Sequence, residues 1–116
     1  MSRLRMLQVW IGAVVLSAGM AVLPVLAAGT QTFTGKVSDA MCGAKHSEGV
    51  DPANCVRACV KKGAKYALVV GDKVYTLDTS EQGTLDELNK LAWEKATVKG
   101  TPNGDTISVK SVMAAQ

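Results

Sequence analysis

The rhythm of apolar and polar residues changes several times along the chain, and each change predicts an element. Phe33, Gly35 and Val37 alternate with Thr34, Lys36 and Ser38, the two-residue period of a half-buried strand. The alternation stops at Asp39, and Asp39 to Val50, rich in Gly, Ala and polar groups, reads as a loop or a short helical turn. Asp51-Pro52 supplies an N-cap followed by proline at the first helical position, and Gly63 supplies a stop, so a helix is expected over about 52–62. Lys65 to Val70 and Lys73 to Leu77 are β-rich runs split by Gly71-Asp72, a tight hairpin. Thr84-Leu85-Asp86-Glu87 has the form of a capping box, and Leu85, Leu88, Leu91 and Ala92 make one stripe of a helix ending near Lys95. Ala96 to Thr101 and Thr106 to Val112 form a last hairpin around Asn103-Gly104, with Val98, Ile107 and Val109 facing the core.

The order is strand, inserted helix, hairpin, helix, hairpin. It predicts a mostly β fold with two helices: a small five-stranded OB-like barrel, with a Cys/His-containing helical insertion between strands 1 and 2 and a helix between strands 3 and 4. A plain α+β sheet with both helices on one face is the alternative.

Composition divides the chain in two. Of 116 residues 47% are apolar, but 20 of those fall in the first 28 positions, where Arg3 and Arg5 precede an uncharged run from Met6 to Ala28 that ends in small residues. That is the layout of a signal peptide over 1–28, with an uncleaved N-terminal anchor as the competing reading, and it leaves one domain over 29–116. The expected location is periplasmic or secreted. Removing Arg3 and Arg5 leaves 11 Lys/Arg against 10 Asp/Glu, so the formal charge of +3 falls to about +1. A nearly neutral domain lacks the basic surface of a nucleic-acid binder, and once the signal is cleaved nothing holds it to a membrane. A domain of this size buries a modest core and profits from a staple.

The candidate staple lies wholly in the insertion. The only His and all three Cys fall within 18 positions as Cys42-x3-His46, then Cys55-x3-Cys59. On a helix Cys55 and Cys59 share a face with Cβ atoms about 5–6 Å apart. A disulfide needs roughly 3.5–4.5 Å, so either is better placed to pair with Cys42 across the loop than with the other. One reading is therefore a disulfide from Cys42 to Cys55 or Cys59 with a spare thiol. Another is a Cys3His site of Cys42, His46, Cys55 and Cys59 for zinc or copper(I), Met41 being a soft neighbour. The third is thiol redox work or copper transfer, which requires an exposed thiol of lowered pKa. Cys-x3-Cys is looser than a zinc knuckle, and there is no haem-attachment motif.

No carboxylate pair, Ser/His/Asp set or phosphate loop stands out, so an enzyme is not expected. Lys61, Lys62 and Lys65 read as a solvated helix end, and Asp86, Glu87 and Glu94 as a polar helix face. Gly35-Lys36-Val37-Ser38-Asp39-Ala40-Met41-Cys42-Gly43-Ala44-Lys45-His46, followed by Cys55, Cys59 and Gly63-Ala64-Lys65-Tyr66-Ala67-Leu68-Val69, resembles a family of small uncharacterised secreted bacterial proteins. Its members look like a signal peptide followed by an OB-like domain with an SD-x-M-C-G-x-x-H element. The resemblance implies an exported domain in which Cys42, His46, Cys55 and Cys59 act as a set, and it transfers no substrate. The expectation is a non-enzymatic exported binding domain whose partner is an unidentified protein or small ligand. A disulfide-stapled interaction module without metal is the competing class.

Overall fold

A computed structural model describes residues 29–46 and 48–116; the segment read as a signal peptide lies outside the described residues. Seven elements follow one another: β1 (Gln31–Asp39), α1 (Pro52–Lys61), β2 (Tyr66–Val70), β3 (Lys73–Asp78), α2 (Gln82–Lys90), β4 (Lys95–Asn103) and β5 (Thr106–Ala114). The strands close into a barrel in the order β1-β2-β3-β5-β4. All pairings are antiparallel except β3 with β5. The fold is thus mostly β with two helices, and the insertion and the second helix occupy the expected places.

Closure leaves no long edge, which matters for a domain with few large side chains. Val37, Leu68, Leu77, Leu88, Val98 and Ile107 form the centre of the core, each at most 2% exposed. Val109, expected to face the core, is partly buried and packs against it. Two glycines permit the backbones to approach. A Cβ on Gly35 would run into the Val69 carbonyl, and one on Gly100 would meet the Ser108 carbonyl and sit 2.6 Å from Ile107 Cγ2. Gly100 also marks a shift in the β4–β5 register.

Three local readings are corrected. Both two-residue hairpin loops are Gly-Asp: Val70 pairs with Lys73 across Gly71-Asp72, and Asn103 pairs with Thr106 across Gly104-Asp105, so Asn103 ends β4 and is not a turn residue. Gly71 and Gly104 take φ +60° and +63°, which glycine adopts without a Cβ penalty. The capping box is not used, because α2 starts earlier, with Glu81 as its N-cap and Thr84 already inside. Thr79 Oγ1 accepts the Glu81 N–H and fixes that earlier entry. Nor does α2 run to Lys95. It ends at Lys90, because Trp93 turns to φ 61° and gives its N–H to the Val37 carbonyl (2.7 Å), while Val37 N–H bonds the Glu94 carbonyl (3.0 Å).

That return of chain onto Val37 has a consequence for β1. Val37, Ser38 and Asp39 are buried in succession, although alternation would leave Ser38 facing solvent. The last turn of the strand is covered from both sides, and the residues that follow it form the site.

Candidate metal centre

The first ligand-bearing segment is the turn after β1. Asp39 Oδ2 accepts the N–H groups of Met41 and Cys42, both at 3.0 Å, and the Asp39 carbonyl accepts the Gly43 N–H at 2.9 Å. This Asx-type turn holds Cys42 at a fixed distance from the strand end. Gly43 takes φ +60° and lets the chain double back toward His46.

The second segment is α1. Asp51 caps it through an Asn54 N–H bond of 3.2 Å, and Pro52 opens it, as the sequence suggests. Val56 is fully buried and anchors the helix, which packs against β1. Arg57 Nε reaches over to the Asn89 carbonyl at 3.1 Å and ties α1 to α2. Cys55 and Cys59, next to this buried stripe, are half-buried and point their thiols toward Cys42.

The Sγ atoms of Cys42, Cys55 and Cys59 lie within 4.8 Å of one another, and Cys42 and Cys59 are separated by 4.0 Å. Zinc–sulfur bonds of 2.3 Å at a tetrahedral angle put sulfurs about 3.8 Å apart, so the group has nearly the spacing that an ion requires. Ligand atoms of Asp39, Cys42 and His46 form a second group of the same size. Cys42, Cys55 and Cys59, and His46 by way of Cys42, are close enough to hold a metal ion. Asp39 belongs to the second group, although its sequence context marks only the start of a loop.

Hydrogen bonding defines the state of His46. Ser38 Oγ donates its single proton to the Gly43 carbonyl, so toward His46 Nε2, 3.2 Å away, it acts as acceptor. In neutral His46 the proton therefore sits on Nε2 and the lone pair on Nδ1. Nδ1 is buried and has no partner among the described residues, and the same holds for Asp39 Oδ1. Trp93 meets the imidazole edge-on with centroids 4.4 Å apart, and Lys36 Nζ lies 4.5 Å from the Trp93 ring centroid. A bulky residue at positive φ costs of order 1–3 kcal/mol and is retained where surrounding contacts hold it. Here those contacts place an aromatic wall against His46.

Burial first, then the Cys59 thiol and the Asp39 carboxylate, push the Cys42 thiol up to about 12. Cys59 is raised as well, chiefly by burial. Thiols in such surroundings remain protonated at neutral pH, the opposite of an activated nucleophile. Met41 is 69% exposed and packs into no core. A cavity of about 220 Å³ lies elsewhere, lined by Val60, Tyr66, Leu77 and Leu85 among others, and includes none of the cluster residues.

No family model matches the chain, and no curated protein or solved structure is significantly similar to it. The residues of the cluster are therefore the basis for its chemistry.

Proposed function

We propose that this chain is an exported, non-enzymatic binding domain of OB-like form, with Cys42, Cys55, Cys59 and His46 as ligands for zinc or copper(I). The observation that carries the reading is the convergence of three thiols, one from the β1 turn and two from α1, within 4.8 Å. A single disulfide would use only two of them. Thiolate-rich sets suit both metals, and an ion would replace the protons that the buried thiols otherwise keep. The metal would also tie the insertion to the barrel, a staple appropriate to a small domain. The likeness to secreted bacterial domains with an SD-x-M-C-G-x-x-H element supports export to the periplasm or medium. The binding partner, in this reading, is a protein or small ligand approaching the insertion.

The second reading is a disulfide between Cys42 and Cys59, favoured by their 4.0 Å sulfur separation, with Cys55 left as a thiol. Intact mass of the full chain under native and denaturing conditions, with a thiol count, separates the two. Stoichiometric zinc or copper and three titratable thiols after denaturation support the metal domain. A deficit of two protons, one free thiol and no metal would overturn it.

A further inference from the structure

We infer that the centre holds two zinc ions, one on Cys42, Cys55 and Cys59 and the other on Asp39, Cys42 and His46, with the Cys42 thiolate shared between them. This rests on the metal-binding reading above and moves His46 from completing the thiolate set to a site of its own.

Three observations converge. The ligand atoms fall into two groups of three that meet only at Cys42, not into one group of four. Two residues of the second group also carry buried polar atoms without partners among the described residues, Asp39 Oδ1 and His46 Nδ1, and the Asp39 side chain is fully buried. An orphaned buried acceptor is costly, and a carboxylate oxygen more so; a cation held by these two side chains is the partner we infer for them. Ser38 already holds the neutral His46 tautomer that presents its Nδ1 lone pair, the supporting bond usual behind a metal-ligating imidazole.

Charge and softness select the ion. Three thiolates and one carboxylate, with a neutral imidazole, carry four negative charges, which two divalent cations neutralise. Two copper(I) ions leave half of that charge uncompensated, and a carboxylate oxygen is a poor ligand for so soft a metal. Zinc accepts oxygen, nitrogen and sulfur together. Each ion has three protein ligands, and water supplies the fourth.

The test is the zinc content of the full-length chain, loaded under reducing conditions, freed of excess metal and weighed by native mass spectrometry with elemental analysis. Two zinc ions per chain are expected, falling to one in Asp39→Asn and to one in His46→Ala, with the three thiols still protected from alkylation in both. Asn keeps an oxygen for the Met41 and Cys42 N–H groups and removes the anionic ligand. If Asp39→Asn does not fold, His46→Ala, on the partly exposed arm of the turn, decides the matter. One zinc per chain in the unaltered protein, or two that neither substitution removes, overturns the two-ion centre while leaving metal binding intact. No zinc at all overturns both.

Discussion

Along β2 the chain buries Tyr66, Ala67 and Leu68 in succession, whereas between Ala40 and Val50 none of the described residues is fully buried. The barrel and the insertion are thus held by different forces. Apolar burial and backbone pairing account for the first. In the second, an Asx turn, a helix cap, one buried valine and the Arg57–Asn89 bond fix the backbone, and a metal on the thiols, as proposed, would add to them.

That division can be broken most severely from the barrel side. Leu68→Ala removes a fully buried side chain at the centre of the core and is expected to cost about 2–5 kcal/mol, much of the stability of a small domain. Gly100→Ala forces the β4–β5 backbones apart at the Ser108 carbonyl and is expected to cost about 1–3 kcal/mol or more. Urea denaturation of each variant, in metal-loaded and metal-free form, measures both. A loss that depends on the metal would show that barrel and insertion do not contribute independently.

Chelation tests the other side. Stripping metal from the reduced protein should accelerate amide exchange by about tenfold or more from Cys42 to Lys62, while amides of β2, β3 and β5 change little. Exchange resolved by mass spectrometry on peptides checks this. Uniform loss of protection across the barrel would mean that the ion holds the whole fold.

The two regions also differed in how far they could be read. The barrel was legible because period-two alternation and Gly-containing turns act locally; even the misplaced turn at Asn103 shifted the loop by only one residue. The cysteines and His46 were legible through spacing. Asp39 and Ser38 were not, since an Asp after a strand is an ordinary turn residue and Ser38 occupied a solvent-facing position in the alternation. The strand end they occupy is met by the turn that follows it, by α1, and by the Trp93–Glu94 segment, more than fifty residues away in sequence, which pairs with the neighbouring Val37. For the same reason α2 stopped short of its apolar stripe: Leu91 and Ala92 are buried by this return and not by continuing the helix.

Smaller effects sharpen the picture of the insertion. Asp51→Ala removes the N-cap bond to Asn54 and should cost about 1 kcal/mol, seen as fraying of the first turn of α1 and a weaker hold on metal through Cys55. The same substitution should not alter exchange in β4 or β5. Measured equally in both regions, its effect would contradict the separation.

The last expected effect is one of pH, and its sign differs between the two forms. In the metal-free reduced protein the folded-state pKa values of Cys42 and Cys59 lie above the ordinary thiol value of about 8.5. A group raised in this way contributes stability that is fully present below the unfolded pKa and is lost as pH rises toward the folded one, about 12 for Cys42. The urea midpoint of this form should therefore decline from pH 8 to pH 10. Metal-bound thiolates are already deprotonated, so that form should hold its midpoint over the same window and lose it on the acid side, where protons compete for sulfur. Cys42→Ser separates the thiol from other alkaline titrations: in metal-free protein it should flatten the decline. An unchanged slope in Cys42→Ser would mean that burial of this thiol does not govern the alkaline limit, and that the insertion is more open in the metal-free form than its hydrogen bonds imply.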